Sequence, residues 1–253
     1  MRVLLTTGKV WNISKKLQRE LDILIDDVIH SDMDLFIVLD GEEGSGKSYA
    51  ARGLARYIQR KLYRNDINVD FSPDNIHFRQ KEYIEASKQG KKFDILVLDE
   101  GRGSLGRSKD KKTKAAVGWV SRCRYMRQFH IICVPAYHDL NPYIGQWRMR
   151  AVIHFKKSYR KKKDGDYRIV HGEYKLYCDR EGLRFHSRFV DYQYPKGWAD
   201  WNNWSAKEVF SDEELTHYNA KKDYYARLEE GDEAKFSFSE NQGSGEGARI
   251  IPT

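Results

Sequence analysis

The chain has 253 residues, 32% of them charged, and a formal net charge of +8. This length allows one substantial hydrophobic core with a small appendage, and the basic charge makes a polyanion a candidate partner. Three cysteines without a C-x-x-C pair argue against a disulfide framework or a cysteine zinc site. No apolar run is long enough for a membrane helix, and no secretion signal is seen, so we expect a soluble protein of a reducing cytoplasm.

A helix is predicted close to the N-terminus, behind Ser14, which is a favoured capping residue. Apolar side chains recur there at helical spacing, which indicates one buried face. They are Leu17, Leu21, Leu24, Ile25 and Val28. We expect this helix to pack beside the sheet that follows.

The segment from Asp34 to Ser48 reads DLFIVLDGEEGSGKS, an apolar strand followed by a glycine-rich turn and the start of a helix. The glycines let the backbone turn tightly and bring its N–H groups close to an anion. Lys47 is placed to reach the β- and γ-phosphates of a nucleotide, and Ser48 to offer a hydroxyl to Mg²⁺. The order of strand, loop and helix predicts a P-loop. Its predicted nucleotide-binding residues are Gly41, Glu42, Glu43, Gly44, Ser45, Gly46, Lys47, Ser48 and Tyr49.

The helix after the P-loop has two distinct stripes. The apolar stripe predicts a face that packs on the sheet. It consists of Ala50, Ala51, Leu54, Ala55, Ile58 and Leu62. Arg52, Arg56 and Arg60 lie four residues apart on another face, which we expect to face solvent.

A second buried strand is predicted in FDILVLDE, Phe93 to Glu100, after a short strand at 76–78 and a helix at 80–88. An almost continuous apolar run is typical of a parallel strand that is buried on both faces. Asp99, at its carboxyl end, is placed to hold Mg²⁺ through the water shell of the ion. Glu100 is placed to orient and polarise the water that attacks a γ-phosphate.

The segment from Gly101 to Lys114 is rich in glycine and positive charge. It predicts a mobile loop beside the site, which either binds a nucleic-acid backbone or is simply solvated. The candidate DNA contacts are Lys109, Lys111, Lys112 and Lys114. A helix near 115–127 and a buried strand at 130–135 follow, and Tyr137 or His138 then lies where a γ-phosphate could be sensed.

From about His154 the sequence pattern changes to short strand-like runs separated by turn residues. Asp164-Gly165 between two strand-like runs predicts a hairpin, and further strands are expected at 173–178 and 183–190. The aromatic segment 192–204 is turn-prone, and a helix from Ser211 to about Glu230 is predicted by its capping signature. We therefore divide the chain into a core at 1–155, a β-rich extension with a C-terminal helix at 156–230, and a disordered tail at 231–253.

From about Leu35 to Phe155 the chain resembles P-loop ATPases of the additional-strand, catalytic-glutamate division. Within them it is most similar to the HerA/FtsK-related DNA motors and to the Zot-like ATPases of viruses and mobile elements. Gly41 to Ser48 matches Walker A, and Asp99 with Glu100 matches Walker B. The resemblance implies an α/β three-layer sandwich with a mainly parallel sheet, in which another strand separates the Walker A and Walker B strands. It also implies ATP and Mg²⁺ as ligands.

The same resemblance implies a ring, usually a hexamer, that surrounds DNA in the cytoplasm of a cell or viral host. The segment R-C-R-Y-M-R resembles the arginine-bearing segment of the family, so Arg122, Arg124 or Arg127 would reach the γ-phosphate of a neighbour. Ordinary ion-pairing arginines are the alternative. The family places a polar residue, often Gln, after the strand that follows Walker B. Here the segment reads P-A-Y-H-D-L, so the chain departs from that pattern at the sensor candidate His138.

Three functions are compatible with these motifs. The first is a DNA-translocating or genome-packaging ATPase in which Glu100 activates water and Lys47, Arg124, Arg127 and His138 assist catalysis. The second is a P-loop nucleotide or small-molecule kinase, since the E-G-S-G-K-S pattern also occurs in kinases. The third is a slow ATPase switch or loader on DNA. Glu100, which serves attack by water, favours an ATPase over a kinase.

Overall fold

The computed structural model describes residues 15–99, 105, 111–161, 167–178, 201–203 and 210–228. The strands are β1 (Leu35–Gly41), β2 (Ile76–His77), β3 (Ile95–Leu98), β4 (Phe129–Cys133), β5 (Met149–Lys161), β6 (Tyr167–Tyr177) and β7 (Trp201–Asn203). The helices are α1 (Lys15–His30), α2 (Lys47–Tyr63), α3 (Gln80–Gln89), α4 (Lys111–Val120) and α5 (Asp212–Arg227). Contacts divide the chain into two compact units, Met1–Val209 and Phe210–Thr253.

The seven strands form one sheet in the order β2-β3-β4-β1-β5-β6-β7. The first five pair in parallel, whereas β6 and β7 are antiparallel to their neighbours. β4 lies between β1 and β3, as the resemblance implied for the strands that carry the two Walker motifs. The predicted α/β fold with a mainly parallel sheet is therefore confirmed.

Helices cover both faces of the parallel part of the sheet. Every residue of β1 is buried, and alternate side chains point to opposite faces. Phe36 and Val38 join a cluster with α3 and α4, while α1 and α2 contact β1 as well as each other. The fold is thus a three-layer sandwich.

The two N-terminal helices bury the predicted apolar stripes. Leu17, Ile25 and Val28 of α1 are fully buried, as are Leu54 and Ile58 of α2. The predicted cap Ser14 lies outside the described residues. Burial of each stripe against β1 accounts for the position of these helices in the fold.

The prediction that the arginine row of α2 faces solvent is wrong. Arg52 is only 4% exposed, and its guanidinium lies 4.4 Å from the centre of the Tyr49 ring. Arg56 donates a hydrogen bond to the carbonyl of Phe71 at 2.7 Å. Burial lowers the pKa of Arg60. The segment after α2 folds back over the helix, a tertiary contact that a pattern within the helix does not reveal.

The antiparallel part of the sheet continues the parallel part, as a β-rich extension. The strands on either side of the predicted Asp164-Gly165 turn pair antiparallel, from Lys161↔Tyr167 back to Val152↔Tyr177, and the turn itself lies outside the described residues. β5 also pairs with β1 up to Gly41↔Phe155, so the proposed boundary at residue 155 falls inside one continuous strand. The β-rich segment thus extends the same sheet. β7 lies in the segment that we predicted to be turn-prone.

The second compact unit contains α5, which was predicted from its capping signature. The Ser211 hydroxyl accepts a hydrogen bond from the Glu214 amide at 3.2 Å, and the Glu214 carboxylate accepts one from the Ser211 amide at 2.9 Å. This reciprocal pair satisfies two N–H groups at the start of the helix. The strand predicted at 183–190 and the tail at 231–253 lie outside the described residues. Among the described helices, none has the length and apolar character needed to cross a bilayer.

A buried polar network joins the N-terminal ends of β1 and β5. Arg148 forms an ion pair with Asp34, and both side chains are at most 5% exposed. Cys123 lies beside this pair, and burial raises the pKa of its thiol to about 12. Asp34, Cys123 and His130 cluster closely enough to resemble a metal site. The guanidinium of Arg148 already neutralises Asp34, however, which disfavours a cation there.

His130 lies in the same region and is 2% exposed. Its ring stacks on Phe36 with 4.2 Å between ring centres, and its Nδ1 lies 2.6 Å from the Tyr83 hydroxyl. Burial, and secondarily the charge of Arg148, lowers the pKa of His130 from 6.5 to about 3. Between these two pKa values the unfolded chain binds a proton that the folded protein does not. The free energy of unfolding therefore falls as the pH falls through this window.

We predict that His130→Phe flattens the pH dependence of stability between pH 6.5 and pH 4. The parent should lose up to about 1.4 kcal/mol per pH unit more than the variant, because only the parent carries this buried titrating ring. Urea unfolding at pH 7.5, 6.0 and 5.0 measures the difference. Loss of the hydrogen bond to Tyr83 should lower the variant's stability by the same amount at every pH, so it does not affect the comparison. Equal slopes of stability against pH in parent and variant would contradict the prediction.

Candidate phosphate-binding site

The glycine-rich loop lies at the carboxyl end of β1 and leads directly into α2. Gly41, Gly44 and Gly46 have φ angles of 129°, 71° and 103°, which side chains strongly disfavour. The glycines therefore have the backbone role that the sequence predicted. The N-terminus of α2 begins at Lys47, so its unpaired N–H groups and positive dipole end face the loop.

Gly41 is pressed against the backbone of β5. A Cβ atom at Gly41 would lie 2.1 Å from the carbonyl oxygen of Phe155, a distance that no side chain tolerates. The amide of Gly41 donates to the carbonyl of Pro135 at 3.0 Å, which ties the same residue to the segment after β4. The loop thus leaves the sheet from a fixed point between two strands.

Lys47 lies over the loop that precedes it. Its ammonium group donates to the carbonyl oxygens of Gly41 at 2.5 Å and Glu42 at 2.8 Å. Burial lowers the pKa of Lys47, while the charges of Asp40 and Asp99 oppose that shift. The ammonium is therefore held at the mouth of the loop, where an incoming phosphate oxygen could replace the carbonyls as its partner.

Ser48 and Asp99 meet across the sheet edge. The Ser48 hydroxyl donates to the Asp99 carboxylate at 2.9 Å. Asp99 follows β3, is 2% exposed, and donates its backbone amide to the carbonyl of His77 at 2.8 Å. A hydroxyl and a carboxylate are hard oxygen ligands of the kind that Mg²⁺ prefers, so this pair fits the predicted metal position.

Asp40 and His154 are residues of this region that the sequence analysis missed. Asp40 is fully buried, and one carboxylate oxygen accepts a hydrogen bond from the Tyr137 amide at 3.1 Å. The other lies 3.0 Å from Nδ1 of His154 on β5. Asp40 thereby joins β1, β5 and the segment after β4 at the base of the loop. A carboxylate in an otherwise apolar strand, directly before the first loop glycine, was the available signal.

The two sensor candidates lie in a short 3₁₀ turn after β4, Tyr137–Asp139. Tyr137 is 2% exposed, and burial raises the pKa of its hydroxyl to about 12, so it stays neutral. The turn places His138 near the carboxyl end of β1, but its side chain lies outside what the structure describes. The role of His138 stays a prediction.

Other predicted site residues are only partly described. Glu100 and Lys109 lie outside the described residues. Lys111 and Lys112 begin α4, which starts a few residues earlier than predicted, and Lys114 is exposed on it. Their proposed contacts with DNA therefore stay predictions.

The arginine candidates lie at the opposite edge of the sheet from the loop, because they precede β4, which runs parallel to β1. Arg127 forms an ion pair with Asp32 and donates to the carbonyl of Ile29 at 3.4 Å. Arg122 and Arg124 are both exposed, and Arg122 donates to the carbonyl of Gly118 at 3.0 Å. Arg127 is therefore paired within its own chain, and the proposed contact of an arginine with a neighbouring subunit stays a prediction.

The loop, its helix and the inserted strand β4 define the class: the chain has the fold of P-loop NTPases with an additional strand. No protein-family model and no curated protein sequence matches it.

Among solved structures it is similar to the N-terminal domain of zonular occludens toxin from Neisseria meningitidis, with 14% identity and a TM-score of 0.43 over 70% of this chain and 97% of the other. The genome packaging NTPase B204 of Sulfolobus turreted icosahedral virus 2, in complex with ATP-gammaS, shows 17% identity and a TM-score of 0.38 over 57% and 92%. The Aeropyrum pernix ORC1 protein in complex with DNA shows 13% and 0.40 over 62% and 49%. These similarities concern the fold.

We predict that Gly41→Ala lowers the free energy of unfolding by roughly 2 kcal/mol or more, because it adds backbone strain and a clash with Phe155. Gly118→Ala is the matched control. It lies in α4, where the added Cβ would meet no described atom within 4 Å outside the helix's own nearby backbone, so it should leave stability unchanged or raise it by up to about 1 kcal/mol. Denaturant unfolding compares the two, and equal effects would contradict the close approach at Gly41.

Proposed function

We propose that this protein is an ATPase that hydrolyses MgATP at the loop between β1 and α2. The observation that carries this proposal is the 2.9 Å hydrogen bond between Ser48 and Asp99, which follow different strands of the sheet. It brings a P-loop hydroxyl to the carboxylate at the end of β3, and these two residues would hold Mg²⁺. When bound, Mg²⁺ would offset negative charge on the phosphates.

The loop and α2 supply the phosphate contacts. Backbone N–H groups of the loop and of the first turn of α2 donate to phosphate oxygens, assisted by the helix dipole. Lys47 exchanges its bonds to Gly41 and Glu42 for bonds to phosphate, which keeps its partly buried charge paired. These contacts position the terminal phosphate and stabilise the charge that develops during its transfer.

Glu100 follows Asp99 directly and is the proposed base that orients the attacking water. This residue separates the ATPase proposal from the kinase alternative, in which a substrate hydroxyl replaces water. A slow switch on DNA would use the same residues at a lower rate. The rate of ATP hydrolysis without an added phosphate acceptor therefore distinguishes the ATPase from the kinase and from the slow switch.

We further propose that hydrolysis drives movement along DNA or packaging of a genome. The net charge of +8 and the basic segment 101–114, which begins beside Asp99, support a polyanionic partner. The resemblance to ring-forming motors supports assembly of several copies, in which the exposed Arg124 would face a neighbouring site. His138 would report the presence of the γ-phosphate.

We predict that Lys47→Ala abolishes MgATP hydrolysis and that Glu100→Gln retains MgATP binding but slows turnover by roughly a hundredfold or more. The first change removes the phosphate-binding cation, and the second removes the charge that polarises water. Phosphate release and calorimetric binding measure both. The control is Lys61→Ala, at the far end of α2, whose partly exposed ion pair with Asp26 should matter little to stability.

Parent-like hydrolysis by Lys47→Ala would refute the assignment of the site. Unchanged turnover in Glu100→Gln would favour the kinase alternative, as would phosphate transfer to an added acceptor. Turnover by the parent that stays slow with and without DNA would favour the switch.

A separate prediction concerns DNA binding by the basic segment 101–114. Neutralising Lys109, Lys111, Lys112 and Lys114 should weaken duplex binding and lower the slope of log affinity against log salt by up to about 0.9 for each DNA phosphate that is no longer neutralised. DNA-independent hydrolysis should persist, because these side chains are proposed to contact the DNA backbone. Fluorescence anisotropy across a salt series measures the slope.

The control for that experiment neutralises Lys91 and Lys92, exposed lysines that precede β3 at the opposite edge of the sheet. This control should change the salt slope little. A slope equal to that of the parent after neutralising the four lysines would remove them from the DNA path.

A further inference from the structure

A second lysine lies beside the P-loop, and it comes from β5 rather than from the loop itself. An ideal Cβ at Gly44 would lie 3.5 Å from Cε and 3.6 Å from Nζ of Lys157. Gly44 is in the middle of the glycine-rich loop and is exposed. Within the described part of the chain, the ammonium group of Lys157 has no hydrogen-bond or ion-pair partner. A half-buried cation, with no polar partner among the described residues, therefore lies against the phosphate-binding loop.

The register of the sheet places Lys157 there. β5 pairs with β1 as far as Gly41↔Phe155 and then continues to Lys161 beyond the end of β1. Lys157 comes two residues after Phe155, so it follows the same face of the strand past the sheet edge. In parallel α/β sheets, ligands bind outside this carboxyl edge.

A β-bulge occurs at the same position. Lys156 pairs with Glu173 and Ser158 with Val170, so residues 171 and 172 of β6 both lie opposite Lys157. An extra residue in one strand bends the ribbon and re-aims side chains, and bulges are frequent next to functional sites. The irregularity in the ribbon and the approach of Lys157 to Gly44 are independent observations that coincide at one residue.

The composition of the loop gives a physical reason for a second cation. Glu42 and Glu43 are exposed carboxylates within the loop, and they repel the negative charge of a nucleotide triphosphate. Lys47 alone would have to offset both these carboxylates and the phosphate chain. A lysine is a compact charge on a flexible stem, which suits a phosphate contact from a neighbouring strand.

We propose that Lys157 is a second phosphate-binding lysine, which contacts the phosphate chain of the nucleotide from the β5 side of the loop. This inference rests on the proposed function of the loop, because the ligand is the same MgATP. It adds a residue from outside the P-loop motif. It also links the strand that enters the β5–β6 hairpin to the bound nucleotide.

The test compares Lys157→Gln with Lys156→Gln by calorimetric titration of MgATP and of magnesium tripolyphosphate. Lys157→Gln should weaken binding of both ligands by about tenfold or more, as expected when one hydrogen bond to a charged group is removed. Lys156 is exposed and adjacent in β5, but its side chain alternates to the other face, so its variant should bind like the parent. Lys157→Arg should recover part of the affinity because it restores the charge.

Tripolyphosphate has no base or ribose, so it isolates the phosphate contact. Weaker binding of MgATP alone would overturn the proposal and move Lys157 to the base or ribose. Parent-like binding of both ligands by Lys157→Gln would also overturn it. If Lys47→Ala failed to bind MgATP in the same experiment, the P-loop assignment would still stand. Failure of the parent itself to bind MgATP would instead refute the proposed function, and this inference with it.

Discussion

The close backbone approach between Gly41 and Phe155 is the constraint on which the arrangement of the site depends. It fixes the point at which the chain leaves β1, and it requires a residue without a side chain there. Because the loop starts at a fixed point, Lys47 and Ser48 at its far end reach the carboxyl end of β3, where Asp99 lies. The same approach places β5 close enough to bring Lys157 to Gly44. One pair of backbone segments thus helps to set the positions of side chains from α2, from the end of β3 and from β5.

The two edges of the parallel sheet use charge differently. At the amino edge, Asp34 and Arg148 neutralise each other in a buried pair, and Arg127 and Arg150 are paired with Asp32 and Asp27. Removing one partner of the buried pair would leave an uncompensated charge, so this edge serves stability. At the carboxyl edge, Lys47 donates to carbonyl oxygens, and Lys157 has no partner among the described residues. Positive charge is therefore available for an anion beside the loop.

The sequence predicted the features that depend on local spacing. The P-loop, the apolar stripes of α1 and α2, the strand before Asp99 and the cap of α5 were all readable because each is encoded within a few neighbouring residues. The insertion of β4 between β1 and β3 came from resemblance, since strand order is not a local property. The contact of Ser48 with Asp99 follows once that order is known.

What the sequence did not reveal depends on segments that meet through folding. Arg52, Arg56 and Arg60 look like a solvated face, but Arg52 is buried against Tyr49 and Arg56 bonds to Phe71 in the chain after α2. Lys157 stands in a basic run next to a hairpin turn, where charge usually indicates solvent, and only the register of β5 against β1 brings it to the loop. Asp40 was a visible anomaly in an apolar strand, but its partners lie on other elements. In each case the missing information was a long-range pairing.

β5 continues well past the point at which it pairs with β1 beside the loop. Beyond Glu173, the strands of the β5–β6 ribbon pair only with each other in the part that the structure describes. A strand rises about 3.3 Å per residue, so the stretch from Phe155 to Lys161 is an arm of roughly 20 Å. A tilt of about 5° at its base would carry its far end through about 2 Å on that rise per residue. A small rotation beside Gly44 would therefore become a larger displacement at Lys161.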